Sequence, residues 1–423
     1  MHHLNLVTQL RRLLTLLSLI GFFLTAALAV CFRAHADSTD LAYFSNDYPT
    51  ARARFQSSAE KMASSWPLAL RRSFKVPSQV DQDLTVDYLY LPAQVKTERL
   101  LVITSGVHGI EGYTGSAIQL MMLHEFADEF DRQRTGYLFV HAVNPYGFKF
   151  HRRATESSVN LNRNFSTMSD MYLKENEAYA KISNQLEPQG QVTSPIARIV
   201  ETSFGLGSQI ISGKLSLSEL TKGIGEGQYQ FPRGLEYGGH ENEPQTKDFI
   251  SYLAEISQPY QDIIMLDLHT GLGESYQLHL MPGDAGRSVD PILFEKLFNI
   301  TQDSSIYKYT PNTAAGFYPT TGDITNLLPQ IMGAHQRAVS ITMEFGTIGN
   351  GPIPKLKTVN RLILENQGFH FGYSSSHVQQ HVQASFDELF FPKEAFWRTN
   401  VMIKSRSVLS KVLRRLKQNA ATD

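Results

Sequence analysis

The sequence is poor in cysteine and in net charge. Cys31 is the single cysteine among 423 residues, which excludes an intramolecular disulfide, so the fold must be stabilised by its core. Lys and Arg total 39 and Asp and Glu total 40, a formal net charge of −1. A chain with so little net charge produces no long-range electrostatic field that would attract nucleic acid. We therefore expect no nucleic-acid partner, and recognition of any ligand through a local patch.

No internal repeat or low-complexity tract interrupts the sequence, which argues against repeat architectures and disordered arrays. The composition, with 42% hydrophobic and 19% charged residues, is typical of globular proteins. A chain of this length permits one large domain or two, with a sizeable buried core.

The first 36 residues differ in pattern from the rest. Arg11 and Arg12 precede an uncharged run over residues 13–30, which Ala34-His35-Ala36 follows. This order predicts a secretory signal peptide cleaved before Asp37, and hence an exported, periplasmic protein. The alternative is an uncleaved signal anchor in the membrane, because a run of this length is near the lower limit for a spanning helix.

Apolar segments that alternate with polar turns predict the architecture of the remainder. Strands are expected over residues 85–91, 100–104, 137–143, 263–268, 277–281 and 339–345. Helical spacing of apolar residues predicts helices over 48–65 and 115–130. The order strand, helix, strand predicts an α/β fold with a mixed, mostly parallel twisted sheet flanked by helices.

Two regions have a different composition. Residues 166–259 have few apolar runs, and glycines at 223–227 and 238–239 predict loops there, so we expect an insertion beside the core. Residues 400–423 are basic and have leucines at helical spacing. We expect a helical C-terminal tail that packs on the domain; the alternative is that the tail contacts an anionic membrane or a partner.

Histidines and carboxylates follow three of the predicted strands. His108 and Glu111 come after the first, in Ser-Gly-Val-His-Gly-Ile-Glu-Gly, and Asp267 and His269 lie at the end of a second. Glu344 ends a third. Because ligands gather at the carboxyl ends of strands in open α/β sheets, these groups are expected to converge, and zinc accepts both imidazole and carboxylate ligands. Asp267 lies on the same strand face as His269 and could orient it.

Four motifs together give the sequence a family resemblance over residues 100–347. They are His-Gly-Ile-Glu-Gly at 108–112, Asn-Pro-Tyr-Gly-Phe at 144–148, Asn-Leu-Asn-Arg-Asn-Phe at 160–165 and Gly-Leu-Glu-Tyr-Gly-Gly at 234–239. The sequence resembles the zinc metallocarboxypeptidase superfamily, meaning carboxypeptidase A-like enzymes with the succinylglutamate desuccinylase and aspartoacylase group. Within it, the closest resemblance is to an uncharacterised carboxypeptidase-like family. The resemblance implies a catalytic domain over residues 37–399.

The resemblance also implies roles for residues of the metal site. His108, Glu111 and His269 match the ligands of one zinc ion per chain, and Glu344 matches the general base. Zinc with three protein ligands keeps a fourth position for water. The separation of 158 residues between Glu111 and His269 (269 − 111) exceeds that of the simplest carboxypeptidases, and the excess lies in the 166–259 segment.

Substrate contacts are implied by the same resemblance. Asn162 and Arg163 match the pair that holds a terminal carboxylate of the substrate. Arg153 is preferred over Arg152 as the residue that polarises the scissile carbonyl. Tyr318 resembles the mobile tyrosine that closes over peptide substrates.

The activity implied is that of a metallocarboxypeptidase, a protease that removes a C-terminal residue from peptides. An amidase or deacylase acting on small N-acyl amino acids is the alternative enzyme, and a binding module that has lost catalysis is the alternative outside the enzymes. Since all four metal and base positions are filled, we favour an enzyme. The expected partner is a peptide or N-acyl amino acid with a free carboxylate. His124, His141 and His279 are expected to be packing or surface residues.

Overall fold

The computed structural model describes residues 38–284, 286–298, 306–310, 320–349 and 351–418. The predicted signal peptide or anchor, with Cys31, lies outside these residues. Over the part of the chain that is described, no helix has the length and apolarity needed to cross a membrane.

An eight-stranded sheet forms the centre of the protein. Its strands follow the spatial order β1-β2-β4-β3-β5-β8-β6-β7. Their bounds are β1 Leu70–Lys75, β2 Thr85–Leu91, β3 Arg99–Ser105, β4 Thr135–His141, β5 Asp262–Gly271, β6 Leu278–Pro282, β7 Tyr307–Tyr309 and β8 Arg337–Gly346. The four strands β4, β3, β5 and β8 are parallel, and antiparallel pairs attach β1-β2 on one side and β6 on the other. The expected mixed, mostly parallel sheet is therefore confirmed.

Helices cover the sheet. In the described residues they are α1 Ser38–Leu41, α2 Tyr48–Ser64, α3 Gly112–Glu125, α4 Pro145–Lys149, α5 Glu177–Leu186, α6 Pro195–Ile211, α7 Leu217–Gly225, α8 Pro244–Ser257, α9 Pro291–Phe298, α10 Leu328–Ile331, α11 Pro352–Phe371, α12 Ser376–Phe390 and α13 Ala395–Gln418. Every residue of β3, β4 and β5 is buried, which explains their nearly continuous apolar sequences.

The segment 166–259 is more helical than its sequence suggested. Helix α7 continues through Gly223 to Gly225, so the prediction of a loop over 223–227 was wrong for its first half. Ser216 and Glu219 form a capping box that starts this helix, and Leu220 and Ile224 pack against the core. These contributions outweigh the helix cost of glycine, about 1 kcal/mol per residue. Gly227, at φ +92°, follows the end of the helix.

Helix α13 contains the basic residues of the C-terminal region and packs along the body of the protein. Its apolar face is buried, including Leu409, Leu413 and Leu416. The Trp397 indole donates to Gly346 O (2.9 Å), and Arg99 Nη1 donates to Leu416 O (3.2 Å). The helix thus contacts the sheet near both ends of its strands.

Candidate active site

The carboxyl end of β3 leads directly into the candidate site. After Ser105 the chain turns through Gly106 and His108 into a 3₁₀ turn, Gly109–Glu111, which precedes α3. A Cβ on Gly109 would lie 2.1 Å from Gly147 C, so only glycine allows this close approach. Gly109 N and Ile110 N donate to Arg153 O (3.2 Å) and Arg152 O (2.9 Å). These hydrogen bonds fix the 3₁₀ turn against the loop that carries Arg152 and Arg153.

His108, Glu111 and His269 converge and are all buried. One ligand atom from each lies within 4.8 Å of the others, and among the described residues this is the group of His, Cys, Asp and Glu side chains that could hold a metal ion. His108 Nδ1 is 2.9 Å from Glu111 Oε1, and His269 Nδ1 is 2.9 Å from Glu111 Oε2. Both imidazoles thus present the same nitrogen to one carboxylate.

The second nitrogen of each imidazole has its own partner. His108 Nε2 lies 3.0 Å from Asn160 Oδ1, and His269 Nε2 contacts Asp267 Oδ2. Thr104 in turn donates to Asp267 Oδ1 (2.6 Å). An amide or carboxylate acceptor at Nε2 selects the tautomer that leaves Nδ1 free to bind a metal, an arrangement common around zinc. This donor set fits zinc, since two imidazole nitrogens and one carboxylate leave a position for water.

Electrostatics in the cluster reflect burial and mutual proximity. Burial and the charge of Arg153 lower the pKa of His108 to about 4. Burial works to raise the pKa of Glu111, but His108 and His269 outweigh it and lower that pKa. Burial works to lower the pKa of His269, but Asp267 and Glu111 outweigh it and raise that pKa. Hydrogen bonds add to these interactions, since Thr270 N donates to Glu111 Oε2 (3.0 Å).

Glu344 lies beside this cluster, on β8. It is the register partner of His269 on the neighbouring parallel strand, so both side chains share one face of the sheet. Leu272 N donates to Glu344 Oε1 (2.8 Å). Burial, and next the charge of Glu111, raise the pKa of Glu344 to about 8.

The two candidate arginines point to different places. Arg153 contacts Glu236 through Nη1, and its charge acts on both His108 and Glu344. Arg152 instead donates through Nε to Glu365 Oε1 (2.7 Å) on α11. The structure therefore brings Arg153, and not Arg152, to the metal cluster.

Asn162 and Arg163 lie near the site, and most of their polar groups are already engaged. Asn162 Nδ2 donates to Asp323 Oδ2 (3.0 Å), and its Oδ1 accepts from Ile324 N (3.0 Å). Arg163 donates through Nη1 to Asn162 O (2.6 Å) and through Nη2 to Gly225 O (2.7 Å). Both side chains are therefore held in place by contacts within the protein.

Glu236 and Asn160 are site residues that the sequence did not single out. Glu236 contacts both Arg153 and Arg163, with 3.4 Å to Arg163 Nη2, and Asn160 Nδ2 donates to Glu236 Oε2 (2.5 Å). Both residues belong to motifs that carried the resemblance, which was the available signal. Membership in these motifs did not by itself indicate a role for Glu236 or Asn160.

The remaining predicted residues lie away from the cluster or outside the description. Tyr318 lies outside the described residues. His124 contacts Ser58 Oγ, His141 stacks on Phe55 and His279 contacts Thr310 Oγ1. None of these three histidines belongs to the metal-binding group.

Comparison with protein families gives one match: residues 44–404 match the family described as "Protein of unknown function (DUF2817)". No functionally curated protein matches the sequence.

Solved structures give distant matches. Bovine thrombin-activatable fibrinolysis inhibitor, solved with a tick carboxypeptidase inhibitor, is 12% identical with a TM-score of 0.45, covering 86% of this chain and 96% of that one. Carboxypeptidase A from Helicoverpa armigera is 14% identical with a TM-score of 0.40, covering 78% and 71%. A metallo-carboxypeptidase from Burkholderia cenocepacia is 10% identical with a TM-score of 0.41, covering 87% and 69%. Function must therefore be argued from the site of this chain.

Proposed function

This chain belongs to the DUF2817 family, and we propose that it is a zinc-dependent hydrolase that cleaves an amide bond. The observation that carries the proposal is the buried convergence of His108, Glu111 and His269, with the second nitrogen of each histidine held by a polar side chain. Glu344 next to this group supplies a carboxylate that is not needed as a ligand. A metal site with an adjacent free carboxylate is the arrangement that hydrolysis requires.

Each residue has a distinct task in this proposal. Zinc held by His108, Glu111 and His269 would supply a Lewis acid that activates water at neutral pH. Glu344 accepts the proton of the attacking water and returns it to the leaving amine. Arg153 stabilises the negative charge that develops on the carbonyl oxygen, a contribution often worth several kcal/mol in a water-excluded site.

As the substrate we propose a peptide that loses its C-terminal residue, with a deacylase of N-acyl amino acids as the second candidate. The support is the resemblance in the 160–165 motif, which includes Asn162 and Arg163, and the placement of Arg163 one contact away from Arg153 through Glu236. Both candidate substrates carry a free carboxylate, which would lie against Arg163. An arginine fork suits such a group because it can bind both oxygens.

Activity and metal content together test the proposal. The purified chain from Asp37 onward, loaded with zinc, is incubated with free-acid peptides, their C-terminal amides and N-acyl amino acids, and zinc is measured by mass spectrometry. We expect about one zinc per chain and release of C-terminal residues from the free acids. Release from N-acyl amino acids alone would favour the deacylase. Zinc binding with no turnover of any compound would favour the binding module.

We also propose that the chain is exported, on the evidence of residues 1–36. Mass spectrometry of the native N-terminus tests this: a periplasmic chain that begins at Asp37 supports cleavage, and an intact chain in the membrane fraction supports the anchor. Membrane contact through the basic residues of α13 is a further proposal. Such contact would have to use the charged face, because the leucines of α13 are buried.

A further inference from the structure

Glu236 has an unusual backbone and a buried side chain. Its φ of +56° places it in the left-handed region, which is uncommon for residues other than glycine, asparagine and aspartate. Backbone hydrogen bonds on both sides hold it there, since Gln228 N donates to Glu236 O (3.1 Å) and Asn160 N donates to Tyr237 O (2.7 Å). Backbone strain of this kind concentrates at functional sites.

The Glu236 carboxylate lies between the two arginines of the site. Its side chain is 7% exposed and contacts Arg153 Nη1, while Arg163 Nη2 is 3.4 Å away. Burial works to raise the pKa of Glu236, but the charges of Arg153 and Arg163 outweigh it and lower that pKa. The carboxylate therefore neutralises the same two guanidinium groups that would attract an anionic substrate.

One donor of Arg163 has no partner in the part of the chain that the structure describes. Two of its nitrogens donate to backbone carbonyls, and Nη2 also faces Glu236, but the buried Nε has no hydrogen-bond partner among the described residues. An unpaired buried donor is energetically costly. Arg163 therefore has capacity for a further acceptor beyond its present contacts.

We propose that Glu236 is an internal carboxylate that occupies the anion-binding position formed by Arg153 and Arg163, and that a substrate carboxylate must compete with it. The inference rests on the proposed function in one respect, because it takes Arg153 and Arg163 to line the substrate site. A free-acid substrate has to displace Glu236 or lie beside its charge, whereas an amidated substrate leaves the ion pairs intact. Glu236 thus sets how strongly the site discriminates between free acids and amides.

Glu236 is also connected to the metal cluster. Asn160 joins Glu236 Oε2 to His108 Nε2 through its amide, with distances of 2.5 and 3.0 Å. The same carboxylate therefore contacts both arginines and, through one side chain, a metal ligand.

Glu236→Gln tests the proposal, with Glu365→Gln as the matched control. Glutamine keeps the shape and removes the charge. Glu365 is a buried partner of the adjacent Arg152 and lies outside the site. The measured quantity is the dissociation constant of acetyl-dialanine amide divided by that of acetyl-dialanine, each determined by calorimetry. We expect Glu236→Gln to raise this ratio at least about tenfold, because like-charge juxtaposition costs more than 1.4 kcal/mol. Glu365→Gln should leave the ratio unchanged.

A binding measurement separates failure of this inference from failure of the proposed hydrolase. In a Glu344→Gln background, calorimetry with acetyl-dialanine should show tighter binding when Glu236→Gln is added, whether or not the parent chain hydrolyses anything. Glu236→Asp, which keeps the charge but shortens the side chain, should give an intermediate affinity and serves if the glutamine variant does not fold. Equal or weaker binding by the charge-removed variant, or no binding to either, would overturn the inference.

Discussion

The two ends of the central strands carry charged groups that are paired in different ways. At the amino ends of β3, β5 and β8, Arg99, Asp262 and Arg337 lie side by side in register. Arg337 donates two hydrogen bonds to Asp262, at 2.7 and 2.8 Å. At the carboxyl ends of the same strands, the register pair is His269 and Glu344.

The difference lies in which chemical groups converge. At the amino ends, opposite charges alternate across the sheet, and Arg337 donates two hydrogen bonds to Asp262. At the carboxyl ends, the converging groups are imidazole nitrogens and carboxylate oxygens, which can serve as metal ligands. Such a set gains its full stabilisation only from a cation outside the sequence. Convergence of several groups that can bind one metal ion, and not burial alone, marks the functional end.

Removing a metal ligand should have the largest effect on the site at the carboxyl ends of the strands. His269→Ala is expected to abolish zinc occupancy and, with it, all hydrolysis, because only two of three ligands remain. Zinc per chain is measured by mass spectrometry after dialysis. His124→Ala, at a histidine outside the cluster, is the control and should keep the metal. Full zinc occupancy in His269→Ala would show that the ligand assignment is wrong.

Glu344→Gln should leave the metal in place and remove proton transfer. We expect kcat to fall about 10³- to 10⁴-fold, the upper part of the range for general acid–base groups, because this carboxylate serves both the water and the leaving amine. Substrate affinity should change little. Comparable turnover by the variant and the parent chain would contradict the mechanism.

Arg153→Ala should have the next largest effect on turnover. Loss of one group that stabilises a developing oxyanion typically lowers the rate about 10²- to 10³-fold. The paired experiment is Arg152→Ala, which removes the partner of buried Glu365 and should lower thermal stability more than it lowers kcat/KM. Reversed results would assign the carbonyl-polarising role to Arg152.

Arg337→Ala should have the smallest effect, because Arg337 lies at the amino ends of the strands and the site lies at their carboxyl ends. The Arg337 side chain is 45% exposed, so the ion pair with Asp262 is expected to contribute at most about 1 kcal/mol to the free energy of unfolding. Urea unfolding measures this change, and zinc content and turnover should match those of the parent chain. A loss of activity without a loss of stability would mean that the two ends of the sheet are coupled.

The sequence predicted the central strands well because burial on both faces produces nearly continuous apolar runs. Strand β2 matches its prediction over Thr85–Leu91. Strands β1 and β7 were not predicted, since they lie at the sheet edges, where exposed positions remove the apolar signal. Helix α3 begins at Gly112 and not at residue 115, because the turn that carries Glu111 leads directly into it.

Site residues could be predicted from the sequence only where a metal-binding or acid–base side chain lies at or just after the end of a strand. His108, His269 and Glu344 could be placed for that reason. Asn160 and Glu236 could not, because they are 76 residues apart and meet only through tertiary packing. Likewise, the direction of Arg152 and Arg153 depends on partners in distant segments, Glu365 and Glu236, and not on local spacing.

The path of helix α13 has a consequence for the order in which the protein can mature. Its indole and backbone contacts reach Gly346, two residues beyond Glu344, and Arg99 at the start of β3. These contacts form only after residues 395–418 have left the ribosome, whereas the last strand of the sheet ends at Gly346. The nascent chain therefore lacks the cover that α13 provides while all eight strands are being synthesised.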